Sequence, residues 1–418
     1  MGAGEGGSVG FAVTRIARRV VGVDDRPATR TKLTMGRYGL LTGVGLALTG
    51  MQLALFPRWL SPQQFGLVVL GISLTQAVHQ FGDLGLSRLC IDGSRSAEEQ
   101  AQLREEGQAL SALAALATAL VCAVVGLGWP EHRSVVLALA LGALAGAATV
   151  ADKYRGTARE VAGDETGAAG LNVLWNNGAK LGLLAGVLAF RSASVVLVCS
   201  VLVGAVLCLP SWLGLAQAWS ALRRVRVWAP AFASVVPSFV LVWADTYFLS
   251  AHVGVARAAA YETLFRVLGV CTYAFLPWIS VLVARVSVDE PRPLQRPLFL
   301  ALAGTVATLG GAIGFVYLVA PSYFPRLALP REALPGLVVF YLALPLSYGL
   351  GSALYARGAV RGQTRAILVG ALVCLVGHVL FTLRGGPAQA AAVSATSMTV
   401  ATVLQARVWC RLPVGARR

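Results

Sequence analysis

The chain has 418 residues, 56% of them apolar and only 13% charged, with a mean hydropathy of +0.70. Soluble domains carry about 25% charged residues, so the composition excludes a soluble globular protein and marks an integral membrane protein. The formal charge of +16 would suggest a nucleic-acid binder in a soluble chain; here the placement of the charges decides, and no nucleic-acid partner is expected.

Residues 1–33 precede the first apolar run and are expected to form a cytoplasmic extension. Its stretch VGFAVTRIARRVVGV reads equally as a basic surface helix and as a disordered arm. No apolar core follows its charges closely, so no cleaved signal peptide is expected. A helix needs about 20 apolar residues to cross the hydrocarbon. That rule gives twelve spans, at roughly 34–57, 66–87, 107–128, 134–152, 168–190, 194–217, 230–250, 258–284, 298–320, 333–356, 364–384 and 387–406. Turn residues separate them: Pro57 and Pro62, Trp129-Pro130, Pro321 through Pro330, and Gly385-Gly386-Pro387.

The basic residues test this count. With the N-terminus inside, the outer loops receive Arg58, Arg133, Arg191, Arg257, Arg326, Arg331 and Arg384. Lys180 and Arg266 fall within spans, and every other Lys and Arg falls on the cytoplasmic side. This alternation is the positive-inside rule, and it places both termini in the cytoplasm. It also explains the net charge as topology, aided by anionic lipid.

All outer loops are short. The longest inner loop contains SRSAEEQAQLREEG, where Ser96 and Glu99 have the capping-box spacing, so a short surface helix is expected there. Seven scattered cysteines without a CxxC pair indicate neither a disulfide framework nor a metal site. No GxxxxGK[ST] loop occurs, so no nucleotide site is expected, and no cofactor of any kind. The scarcity of Lys beside abundant Arg, Ala and Gly fits a high-GC bacterial genome.

Spans one and seven begin similar units. Thr34 to Phe65 and Pro230 to Tyr261 are each 31 residues apart, and the basic loop around Arg223–Arg226 divides six spans from six. The expected architecture is all-α: about twelve transmembrane helices in two six-helix pseudo-symmetric bundles, residues 34–220 and 221–410, around a central cavity, with a cytoplasmic tail at 411–418. Internal repeats of this kind place substrate between the halves.

Ionisable groups inside spans are functional candidates, because leaving them unpaired in lipid costs several kcal/mol. In span two, Gln76, His79, Gln80 and Asp83 fall on one helix face; in span five, Asn172, Asn176 and Lys180 recur every fourth residue. Such stripes face a wet cavity or join helices; for His79 alone, packing is the simpler reading. In spans seven and eight, Asp245 sits about 8 Å and Arg266 about 12 Å from the outer end, at 1.5 Å per residue. Glu262 precedes Arg266 by four residues, the favourable order for an acid and a base. Asp245 is therefore within reach of Arg266 or Glu262, as a structural ion pair, as a proton- or sodium-coupling site, or in contact with substrate. Lys180 has no acidic partner in its own span. It invites an anion such as a lipid pyrophosphate, and Arg37 at the inner mouth either meets the same phosphates or snorkels to the interface. Pro237, Pro277 and Pro345 are candidate helix kinks.

The stretch QQFGLVVLGISLTQAVHQFGDLGLSRL resembles the second-helix signature of bacterial polysaccharide flippases, an FG pair followed by a DLGL exit. PSFVLVWADTYFLSAHVGVARAAAYETLFRVLG resembles their seventh-to-eighth hairpin, and ALYARGAVRGQTRAIL their linker after the tenth helix. The similarity spans residues 34–410. It implies the oligosaccharidyl-lipid branch of the multidrug/oligosaccharidyl-lipid/polysaccharide exporter superfamily, with Phe65, Gly66, Asp83–Leu86, Asp245 and Tyr261 on its motif positions. Ala259-Ala260 stands where Gly-Leu is usual. The implied activity is not enzymatic: an undecaprenyl-pyrophosphate-linked oligosaccharide is moved across the bacterial cytoplasmic membrane. Lys180, Arg266 and Arg37 would then meet the pyrophosphate, and a polysaccharide polymerase and chain-length proteins would be partners. A cation-coupled antiporter of the same superfamily is the alternative, and a membrane polymerase or glycosyltransferase a weaker one, since the short outer loops carry no acidic or His cluster.

Overall fold

The computed structural model describes residues 43–45, 47–52, 55–81, 97–128, 133–161, 165–208, 223, 225–272, 295–324, 327–357 and 359–412. Helical stretches within 43–59 form α1. There follow α2 (Pro62–Phe81), α3 (Ala97–Gly128), α4 (Arg133–Val161), α5 (Glu165–Phe190), α6 (Ala193–Cys208), α7 (Val225–Val253), α8 (Val255–Gly269), α9 (Gln295–Leu318), α10 (Leu334–Ala356), α11 (Val360–Gly377) and α12 (Pro387–Arg411). A π-helical turn at His378–Thr382 and Leu383–Gly385 extend α11. Among the described residues no strand occurs. Three helical runs, Leu298–Leu318, Arg331–Leu354 and Val360–Gly385, are each long and apolar enough to cross a bilayer. The expected all-α membrane architecture stands.

Two departures from the expected boundaries have local causes. The loop SRSAEEQAQLREEG does not form a separate surface helix, because α3 runs unbroken from Ala97 through Gly107 to Gly128. Glu98 and Glu99 lie in its first turn, where carboxylates oppose the positive end of the helix dipole; Ser96 lies outside the described residues. A reciprocal capping box appears instead at α2. Ser61 Oγ accepts from Gln64 N at 3.3 Å, and Ser61 N donates to Gln64 Oε1 at 3.4 Å, with Pro62 as the first helical residue. Asp83, Arg37 and Pro277 lie outside the described residues. α7 and α10 remain helical through Pro237 and Pro345.

Buried apolar residues among the described ones form two larger clusters. One buried cluster joins Leu241, Leu264, Phe340, Ile367 and Met398 from α7 to α12; another joins Phe56, Val68, Leu184 and Leu197 from α1 to α6. The second cluster also contains Ala259 of α8, which ties α8 to α1–α6. Within the first half, Gly142 and Gly146 of α4 meet α2 at backbone distance, and Thr75 Oγ1 donates to Gly142 O at 3.0 Å. Small residues four apart allow this approach.

Gly66, in the FG pair, lies against the start of α8: a Cβ there would sit 2.6 Å from Val255 O. Nearby, the Arg58 guanidinium caps the Tyr323 ring at 4.5 Å, Arg191 lies over Trp59 at 5.2 Å, and Arg331 over Tyr317 at 5.3 Å. Three arginines assigned to outer loops are thus held by aromatic rings at the end where α2 begins and α7 turns into α8. Arg191 adopts φ 51° at the α5–α6 corner, an uncommon backbone state for a residue with a Cβ.

Gly66→Leu is expected to force α2 away from α8, with a destabilisation of about 1–3 kcal/mol. Thermal melting in detergent will show a lower midpoint, while Gly43→Leu, where a Cβ meets nothing within 4 Å, will leave it unchanged.

Candidate functional site

α7 and α8 are joined by a single residue, Gly254, with φ 86°. That conformation suits glycine because it lacks a Cβ. The reversal lays the two helices antiparallel, and two bonds record the register: Tyr261 to Asp245 and Thr246 to Glu262, each 16 residues apart in sequence. α7 extends to Val253 and α8 begins at Val255, further out than the expected ends. Asp245 therefore lies about 12 Å and Arg266 about 16 Å from the turn at 1.5 Å per residue. Both are deeper than the sequence suggested, close to the middle of a hydrocarbon layer about 30 Å thick.

Asp245 is 2% exposed and Glu262 0%. Asp245 does not pair with Arg266. Its Oδ2 accepts from the Tyr261 hydroxyl at 2.6 Å and from Ser394 Oγ of α12 at 3.3 Å, and its Oδ1 from the Thr246 amide at 2.7 Å. Glu262 holds the ion pair: Oε1 accepts from Arg266 Nε at 3.0 Å, and Oε2 from Thr246 Oγ1 at 2.9 Å. The four-residue spacing explains why Arg266 chooses Glu262, since both project from one face of α8. The Arg266 side chain keeps 16% exposure, and its Nη2 is buried without a hydrogen-bond partner among the described residues. Tyr341 of α10 closes the cluster from below, donating to Phe265 O at 2.7 Å.

The other sequence candidates separate. Lys180 Nζ donates to Thr49 Oγ1 at 2.9 Å and to Gly45 O at 3.3 Å, while Gln52 Nε2 donates to Lys180 O at 3.3 Å. Lys180 therefore fastens α5 to α1. In the α2 stripe, Gln76 and His79 are half-buried. One turn above Gln76, Ser73 Oγ contacts the Tyr247 hydroxyl of α7 at 3.4 Å, so this face of α2 runs along the seam between the halves. The side chains of Gln80, Asn172 and Asn176 lie outside the described set. A cleft of about 590 Å³ between α11 and α12 is lined by Leu372, Val376, Leu380, Phe381 and Thr396; it opens on exposed apolar residues and holds no charge.

Sequence reasoning missed Thr246, Ser394 and Tyr341. Thr246 was legible as the hydroxyl beside an intramembrane Asp. Ser394, 149 residues from Asp245, carries no local signal.

No family model and no curated protein matches the chain. Solved structures share its fold. The lipid II flippase MurJ in an inward closed conformation aligns over 91% of this chain and 88% of its own, with TM-score 0.58 and 13% identity. A MOP superfamily transporter from Pyrococcus furiosus aligns over 90% and 96%, with TM-score 0.59 and 16% identity. A eukaryotic MATE transporter aligns over 93% and 98%, with TM-score 0.51 and 12% identity.

Tyr261→Phe removes the shortest bond to a buried carboxylate and is expected to destabilise the protein by about 1–3 kcal/mol. Ser394→Ala, which removes a 3.3 Å contact, will cost less. Melting curves of the two variants will rank them.

Proposed function

We propose that this protein is a transporter of the MOP superfamily type that moves an undecaprenyl-pyrophosphate-linked oligosaccharide from the inner to the outer leaflet of the bacterial cytoplasmic membrane. The reading rests on one observation above all: Arg266 lies deep in a membrane helix, its side chain keeps 16% exposure, and its buried Nη2 has no hydrogen-bond partner among the described residues. A guanidinium presents a planar fork of donors that matches phosphate oxygens. Glu262 engages the Nε of that fork, and Nη2 is left without a partner among the described residues.

The fold alone does not choose the ligand. Its known members include a lipid II flippase, and for the Pyrococcus furiosus transporter reversed polarity of the binding pocket suggests a different function. The sign of the pocket therefore has to be read from each chain's own residues, and here a guanidinium stands at mid-membrane beside two carboxylates. In this reading the bundles of residues 34–220 and 221–410 open alternately, and the sugar occupies the space bordered by Gln76, His79, Gln80, Asn172 and Asn176. The polyprenyl tail remains in lipid. Lys180, bonded to Thr49 and Gly45 of α1, is the second cation proposed to meet the pyrophosphate. A polymerase and chain-length proteins would receive the exported unit.

The antiporter reading keeps one specific support. Asp245 is surrounded by hydroxyls and has no ion pair among the described residues, a setting that accepts a proton or sodium ion.

Deleting the gene is expected to trap lipid-linked repeat units on the inner leaflet and to abolish surface polysaccharide. Complementation with Arg266→Ala should fail at normal protein level, and Arg266→Lys should restore export only in small part, because an ammonium lacks the fork. Unchanged polysaccharide with altered drug sensitivity would replace this reading with the antiporter.

A further inference from the structure

Residues 319–324 and 327–333, between α9 and α10, are rooted in one buried cluster and lean on the other. At their start, Phe315 of α9 stands edge-on to Tyr323 and Phe324, with ring centroids 6.0 and 6.3 Å apart, and Phe324 is buried. At their end, Ala333 and Leu334 belong to the cluster of α7 to α12, as does Val316 of α9. Between these roots, Leu327 packs against the other cluster, the one that holds Phe56 of α1. Arg58, exposed in the last turn of α1, lays its guanidinium over the Tyr323 ring at 4.5 Å. The segment thus reaches from the later helices onto α1. Pro321 and Pro330 fix φ at two of its positions.

We propose that this segment is a strap that latches the outer end of the seam between α1–α6 and α7–α12, with Arg58 on Tyr323 as its catch. The inference rests on the transporter reading given above, in which the two bundles part alternately. The seam is shut at this end in the structure. Gly66 of α2 abuts Val255 of α8, and two turns further along α2 Ser73 Oγ meets the Tyr247 hydroxyl of α7. Parting the bundles here requires Arg58 to leave the Tyr323 ring, because the two side chains belong to opposite bundles. Leu327 travels on the same strap as Tyr323. A catch that breaks in every cycle has to be weak, and an exposed guanidinium over a ring is held only modestly.

The two similar contacts nearby lack this property. Arg191 lies over Trp59 at 5.2 Å, and both residues belong to α1–α6. Arg331 lies over Tyr317 at 5.3 Å, and both belong to α9 and the strap. Each of these pairs moves with a single bundle. Of the three, Arg58 with Tyr323 is the pair that spans both.

The test uses the full-length protein expressed in cells, with Ser73→Cys as a reporter. Ser73 is fully buried in the seam, so an impermeant thiol reagent added from outside reaches it only when the outer end parts. The chain without Ser73→Cys corrects for native cysteines. Arg58→Ala and Tyr323→Leu should each raise the labelling rate about two- to fivefold, the population shift expected from losing one exposed cation–π contact. The double variant should label no faster than Tyr323→Leu alone, because the two residues act through one contact. Arg191→Ala, which removes a contact of the same kind within one bundle, should leave the rate unchanged. In a second arm, Arg58→Cys and Tyr323→Cys are joined by a short reducible thiol cross-linker, with the wild type treated alike. Surface polysaccharide should cease to form and should return on reduction. Unchanged labelling in both Arg58→Ala and Tyr323→Leu, an equal rise in Arg191→Ala, or continued export with the cross-link closed would overturn the strap and leave the transporter reading standing. Faster labelling in the strap variants, where gene deletion leaves polysaccharide unchanged, would uphold the strap and overturn the substrate.

Discussion

Two buried carboxylates and one guanidinium lie together in the α7–α8 hairpin, and the packing around the hairpin is arranged to hold that charge out of lipid. Charged groups in a membrane interior are tolerated when they are paired, bonded to donors, or facing a wet space. Here the first two occur within two helical turns. Glu262 has a pair and Asp245 has hydroxyls, while the Arg266 side chain keeps 16% exposure. The cluster needs α12 for Ser394, and α10 borders it through Tyr341. It therefore also serves as a joint among the helices of the second half.

The hairpin in turn depends on Gly254. Its positive φ lets α7 stop and α8 start with one residue between them, which fixes the pairing of 245 with 261 and 246 with 262. The same turn brings Val255 against Gly66 of α2 and carries Ala259 into the core of the first half. One backbone reversal thus sets both the polar site and the contact between the halves. A change in how α2 meets α8 would be felt in the cluster directly, since α8 carries Tyr261, Glu262 and Arg266.

The two intramembrane cations make different contacts for a physical reason. A lysine has a compact ammonium on a flexible stem, and Lys180 satisfies it with Thr49 and a backbone carbonyl of α1. Arg266 carries more donors than Glu262 can use. The excess donor capacity, not the charge alone, makes Arg266 the stronger candidate for an anion. Sequence spacing could not separate them, because both appear as a lone cation in an apolar run.

Much of the architecture was already written in the sequence. Apolar run lengths and the alternation of arginines specified an all-α membrane protein with about twelve helices, because bilayer thickness and the cost of moving charge across it act on composition directly. The i,i+4 spacing specified the Glu262–Arg266 pair, since that contact lies within one helix. The partner of Asp245 was not legible: reach alone allowed Arg266 or Glu262, and the tertiary structure chose Tyr261, Thr246 and Ser394. Helix α3 absorbed a segment whose capping-box spacing pointed to a separate helix, because nothing between Ala97 and Gly128 breaks it. Local periodicity determines which residues share a helix face, whereas side chains 149 positions apart meet only when whole helices pack, and that packing decided where the buried charges found their partners.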